Sequence, residues 1–170
     1  MGLVNDTAFA QFIPPGAMHY VTGTWSMAAG AVAGTICKHR AANAGGETAV
    51  VTVPIMLPSN SVAQKGALLK SIEFDYENLA AAVTSVTAAL NKVTRGIDTA
   101  VAVVTAVTIT QDLAAAVAAA SQEQHKLTVT LTTPEWIDND VYFLLQMTFV
   151  CPAVATTDVL AAVANYTLRV

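Results

Sequence analysis

Three acidic residues at alternate positions, Glu73, Asp75 and Glu77, form the most suggestive chemical pattern in this 170-residue sequence. Alternate side chains of an extended strand leave the same face, so these carboxylates would stand side by side and either hold a metal ion or form a wet face. A calcium site needs a loop with a turn-forming glycine, and none follows here. We therefore predict a strand over 70–77 with solvent or cross-strand cations beside the carboxylates. The apolar positions that alternate with the acids are Ile72, Phe74 and Tyr76.

A second acidic group lies in the segment TPEWIDND (133–140), where Glu135, Asp138 and Asp140 surround Trp136. Three carboxylates in one loop could share a cation. Asp and Asn are also the residues that form turns by bonding their own backbone. We favour a turn between two strands, with the tryptophan packed over a sheet edge.

The sequence has no pattern typical of a catalytic or cofactor site. His19, His39 and His125 are scattered, and no HxH or HExxH pair occurs. Serine-nucleophile (GxSxG), dinucleotide and phosphate-loop motifs are also missing. We predict a protein that is not an enzyme and that binds neither cofactor nor metal. Cys37 and Cys151 could pair if the fold brings them together, but two buried thiols are the favoured interpretation.

Composition points to assembly with other subunits. Charged residues make up 12% of the chain and hydrophobic residues 54%, so the chain has few polar side chains with which to cover its exterior. A net charge of −4 argues against nucleic acid as a partner. The uncharged run over 16–37 is long enough to span a bilayer, but its glycines, serine and threonines favour a loop and strand, so we predict no membrane insertion.

Patterning along the chain predicts an all-β fold. Period-two alternation or β-branched runs mark strands, while Ala-rich 79–90 also favours a strand and Ala-rich 113–124 favours a short helix. Pro54 and Pro58 should place the first clear strand at an edge or end it. The clearest strand segments are 47–57, 70–77, 99–110, 125–133, 141–150 and 165–170.

About eight antiparallel strands without βαβ alternation indicate a β-sandwich, most simply a jelly roll, with a closed up-and-down barrel as the alternative. Residues 1–20, which contain Pro14-Pro15-Gly16, are predicted to form an extended N-terminal arm. Residues 21–170 are then one sandwich domain.

Several segments together resemble a known group of proteins. These are the proline-bearing arm, the Trp-containing GTWS (23–26), the strands TAVVTVPI and KLTVTLTTPEWIDNDVYF, and the closing NYTLRV. They are similar to small β-sandwich virion proteins of tailed bacteriophages, especially trimeric jelly-roll capsid decoration proteins. The resemblance implies a homotrimer that binds the major capsid protein or other virion subunits and stabilises the shell. It also implies assembly in the host cytoplasm and a final location in the virion.

Two segments are predicted to form the contacts with other subunits: the arm and the two-sided apolar strand 141–150. The predicted interface residues are Phe9, Phe12, Ile13, Tyr142, Leu144 and Val150. Two other functions remain open at this point. A fibre or tail-tip domain that binds a receptor glycan would present Tyr20, Trp25 or Trp136 in a groove, and a capsid or filament subunit would form closed shells or polymers by itself.

Overall fold

The computed structural model describes residues 6–30, 36–59, 66–96, 101–112 and 121–169, and these residues form β-strands and one short 3-10 helix, Pro15–Ala17. No helix in this described part is long and apolar enough to cross a membrane. The strands are β1 Asp6–Ile13, β2 His19–Thr22, β3 Trp25–Ala29, β4 Ile36–Arg40, β5 Glu47–Ile55, β6 Leu68–Leu79, β7 Ser85–Thr94, β8 Val103–Val107, β9 Ile109–Gln111, β10 Ser121–Trp136, β11 Val141–Cys151 and β12 Thr156–Arg169.

The strands form two antiparallel sheets. One has seven strands in the order β3-β4-β12-β6-β10-β9, with β1 also paired to β12. The other has five strands in the order β2-β5-β11-β7-β8. The predicted all-β antiparallel sandwich is confirmed, and the two separate sheets favour it over a closed barrel. The described residues contain twelve strands instead of about eight.

The core lies between the two sheets and is built from alternate residues of the long strands. On β6, Ile72, Phe74 and Tyr76 are all fully buried, as the alternation predicts. Phe149 on β11 faces them from the other sheet, with its ring centroid 5.3 Å from that of Tyr76 and 6.2 Å from that of Phe74. This aromatic cluster therefore joins the sheets near their centre.

The strand predicted over 141–150 is present as β11, which lies between β5 and β7. Pro54 sits on β5, whose pairing with β2 reaches only Thr52. Among the described strands, β5 is therefore paired on one side alone at Pro54, where a missing N–H is tolerated.

Three expectations about secondary structure require correction. The strand predicted over 79–90 is present only from Ser85, because β6 ends at Leu79 and the chain turns before β7 begins. The helix predicted over 113–124 is wrong at its end, because Ser121 begins strand β10, and residues 113–120 lie outside the described residues. The single strand predicted over 99–110 divides at Thr108 in its described part. β8 pairs with β7 in one sheet and β9 pairs with β10 in the other, so the chain changes sheets there.

Residues 6–13 of the predicted arm are extended, as expected, but they form a strand of the seven-stranded sheet. β4 and β1 lie one after the other along the same edge of β12: β4 pairs with Thr157–Val159 and β1 pairs with residues 162–169. The described part of the arm is thus bonded to its own chain.

Candidate interaction surface

The three alternating carboxylates share the outer face of the seven-stranded sheet, but they do not share one environment. Glu73 and Asp75 are half-buried, and Lys126 of the adjacent β10 lies 3.3 Å from Glu73 (Nζ to Oε2). The predicted cross-strand cation is thus confirmed for Glu73. The predicted wet face does not extend to Glu77, which is only 4% exposed.

Glu77 belongs to a buried polar cluster formed by three neighbouring strands. Asp158 of β12 lies opposite it and is 3% exposed, and Asp158 Oδ1 is 2.5 Å from His39 Nδ1 on β4. Burial and the Asp158 carboxylate raise the pKa of Glu77, while His125 lowers it. Burial, with Asp158 beside it, raises the pKa of Cys37 to about 12. Such a thiol is a poor nucleophile, because its thiolate is scarce at neutral pH.

The other candidate residues stay apart. Glu135 pairs with Lys92 at 3.1 Å, and the backbone carbonyls of Asp138 and Asp140 accept hydrogen bonds at the predicted turn. Cys37 and Cys151 are both free and buried. Within the described ranges, no three histidine, cysteine or acidic side chains come together as a metal site.

The aromatic residues expected of a glycan-binding groove are tied to their own chain. Tyr20 donates its hydroxyl hydrogen to the Pro15 carbonyl oxygen at 2.9 Å. Trp25 Nε1 donates to the Thr22 carbonyl oxygen at 2.7 Å, and the two rings lie 4.9 Å apart. Trp136 is half-buried at the end of β10.

The outer face of the five-stranded sheet is chemically unlike that of the other sheet. Its cross-strand register places one set of side chains outward from β5, β7, β8 and β11. We name this set the uncharged face, because it contains no Asp, Glu, Lys or Arg. Its residues are Thr48, Val50, Thr52, Pro54, Ser85, Thr87, Ala89, Asn91, Val93, Val104, Ala106, Tyr142, Leu144, Gln146, Thr148 and Val150. The outer face of the seven-stranded sheet, in contrast, has Glu73, Asp75, Glu77 and Lys126.

One end of the uncharged face is hollowed into an apolar groove of about 440 Å³. Tyr142 forms one side of it and is 40% exposed, and Met56 just beyond β5 is 75% exposed. The side chains that line the groove include His19, Thr52, Pro54, Met56, Tyr142 and Leu144. A larger recess of about 520 Å³ lies where the chain changes sheets and is lined mainly by threonines and the Lys92–Glu135 pair.

The predicted interface residues divide between the two sheets. Those on the uncharged face are Tyr142, Leu144 and Val150. Phe12 is 62% exposed on the outer side of β1, and Phe9 is partly exposed and stacks on Tyr166. The prediction that Ile13 contacts another subunit is wrong, because its side chain is buried in the core of its own sandwich.

Sequence reasoning found one strand of the uncharged face and missed the others. The signal was present, since alternate residues of 48–54 and 85–93 are uncharged. What the sequence did not show is that these residues lie beside Tyr142 and Val150 on one surface, because that depends on pairing between distant strands.

No family model and no curated protein matches the sequence. Several solved structures are similar to it in fold, and three serve as examples. They are an arabinose-bound α-L-arabinofuranosidase, MgGH51 (9% identity, TM-score 0.43, 89% of this chain and 23% of that one); the carbohydrate-binding module TmCBM61 in complex with β-1,4-galactotriose (10% identity, TM-score 0.42, 95% and 88%); and the carbohydrate-binding module CBM4 (13% identity, TM-score 0.36, 92% and 94%). The chain thus spans less than a quarter of the arabinofuranosidase. These similarities concern the β-sandwich fold alone.

Proposed function

We propose that this protein is a non-enzymatic virion structural protein of the capsid decoration type, which forms homotrimers and stabilises the shell by binding the major capsid protein. The observation that supports this proposal best is the uncharged face. A decoration protein must contact both its own copies and the shell, and the centres of such contacts contain fewer charged residues than the rest of a protein surface.

The size of the uncharged face fits a contact between subunits. The face is formed by four strands, β5, β7, β8 and β11, which lie about 4.8 Å apart and average about nine residues in length. At roughly 3.3 Å per residue, these dimensions give a face of roughly 600 Å². A specific interface of ordinary size covers about 800 Å² on each partner. The face is therefore large enough to contribute most of one interface, and the partly exposed Tyr142 is the kind of aromatic anchor that such interfaces bury.

Light scattering coupled to size exclusion tests the assembly. We expect a compact species near three times 17.6 kDa. A monomer would overturn the proposal, and large polymers would favour a shell or filament subunit. Mass spectrometry of purified virus particles tests the virion assignment. Peptides of this chain should be found in the same particles as the major capsid protein.

A matched pair of variants tests which face makes the contact. Thr87 is exposed on the uncharged face, opposite Thr148, and Thr130 is exposed on the outer face of the other sheet. Thr87→Lys should weaken association at least about tenfold, equivalent to about 1.4 kcal/mol, because an unpaired ammonium would be buried. Thr130→Lys should leave the mass unchanged. Equal effects of the two variants would show that the uncharged face is not the contact.

A further inference from the structure

Strand β1 is bonded to the rest of the molecule through one neighbour. It pairs with β12 in an unbroken antiparallel register that runs from Asp6 opposite Arg169 to Ile13 opposite Ala162. No other described strand pairs with it. The backbone hydrogen bonds of this ladder are therefore its main attachment.

Side-chain packing adds little to that attachment. Of the eight residues of β1, only Ile13 is buried. Phe9 stacks on Tyr166 with centroids 5.7 Å apart, but it stays 41% exposed, and Phe12 projects outward. Elements with so few buried contacts open more easily than the core around them.

The connection after β1 is stiff where it joins the strand and anchored beyond it. Ile13 and Pro14 each precede a proline, which disfavours helical backbone and keeps the chain extended, and Pro14 has φ −70° and ψ 157°. Pro15 is buried, and its carbonyl oxygen accepts the hydrogen bond from Tyr20. Any change in the direction of β1 is therefore confined to the bonds around Ile13 and Pro14.

We propose that β1 is exchanged between copies, so that residues 6–12 of one subunit pair with residues 163–169 of the next, while Ile13 stays in its own core. The inference rests on the proposed assembly and names one of its contacts. Exchange restores the same ladder and the same Phe9–Tyr166 stack between chains, so its cost is chiefly that of turning the connection and of bringing the copies together. Each copy donates one strand and receives one, a heterologous contact that a ring of three closes.

A disulfide between β1 and β12 distinguishes exchange from closure within one chain. Ala10 and Asn165 are directly opposed, and opposed residues of antiparallel strands lie about 4.5–5.5 Å apart at Cα, within reach of a disulfide. The full chain with Ala10→Cys and Asn165→Cys is assembled under reducing conditions, oxidised, and run on a denaturing gel without reductant. We expect loss of the monomer band in favour of covalent trimers, and its return when reductant is added.

Two controls make the result decisive. The unmodified chain should stay monomeric on the gel, because Cys37 and Cys151 are buried. A second opposed pair, Phe12→Cys with Val163→Cys, repeats the test in case the first disulfide strains the ladder. A disulfide confined to one chain, or no intermolecular disulfide at either pair, overturns exchange. If the undenatured protein is still a trimer in that case, the proposed assembly stands, whereas a monomer by light scattering overturns both.

Discussion

The ion pair between Arg40 and Glu47 links the two sheets and offers a quantitative test of the fold. Arg40 lies on β4 of the seven-stranded sheet and Glu47 on β5 of the five-stranded sheet, with 2.8 Å between Nε and Oε1. The guanidinium is fully buried, and its Nη1 donates to the Ala155 carbonyl oxygen at 2.9 Å. Among the residues that the structure describes, none forms a hydrogen bond with its Nη2. The carboxylate of Glu47, which contacts Nε of this buried guanidinium, offsets its positive charge.

Removing the carboxylate should cost far more than removing both charges. Glu47→Ala leaves a buried guanidinium unpaired, which typically costs about 3–5 kcal/mol. At about 2.1 cal/mol/K per residue, a chain of 170 residues has an unfolding entropy of roughly 0.36 kcal/mol/K, so Tm should fall by about 8–14 °C. The double variant Arg40→Met, Glu47→Leu should lie within about 1 kcal/mol of the parent, because apolar replacements of a buried pair are often neutral or stabilising.

Urea unfolding at pH 7, followed by the fluorescence of Trp25 and Trp136, measures these differences. All variants are compared at one protein concentration, because assembly would couple unfolding to mass action. If the double variant loses as much stability as Glu47→Ala, the argument from charge pairing fails. The bond from the guanidinium to Ala155, or the shape of the arginine, would then be what stabilises the junction.

Two further predictions concern the core and the buried acid. Phe149→Ala should lower the free energy of unfolding by about 3–5 kcal/mol in urea titrations, because it removes the ring packed on Phe74, whereas the exposed Phe12→Ala should change it by less than about 0.5 kcal/mol. Because the pKa of Glu77 is raised on folding, its stabilising effect is present at low pH and is lost as pH rises. Glu77→Gln should therefore raise Tm at pH 8 and have little effect at pH 4, and equal shifts at both would show that neither burial of the charged carboxylate nor repulsion from Asp158 is the cause.

Local patterning was sufficient to predict the fold class and the position of β6. The alternation of Ile72, Phe74 and Tyr76 with acidic residues gave both the strand and its buried side, because a strand's two faces are decided by period two alone. The burial of Glu77 was not predictable in the same way. It depends on Asp158 of β12, which lies opposite Glu77 and comes from a distant part of the chain.

The errors in the sequence analysis occur where propensity and pairing disagree. Alanine-rich 113–124 favoured a helix, yet residues from Ser121 onward pair with β6, and that ladder overrides helix propensity. The run over 99–110 is one apolar and β-branched stretch, and no residue in it marks Thr108 as the point where the chain passes to the other sheet. The uncharged face was missed for a related reason, since its strands are individually ordinary and become a surface only when paired.

The position of β12 in its sheet has a consequence for biosynthesis. It lies between β6 on one side and β4 and β1 on the other, although all three strands are synthesised before it. While the ribosome is still extending the chain, β1 has no β12 to join, and the sheet can be completed only after pairing across most of the sequence, which is slow. During that interval the exposed apolar strands can aggregate with neighbouring nascent chains. We therefore expect the yield of folded protein to depend on the rate of translation and on the supply of chaperones.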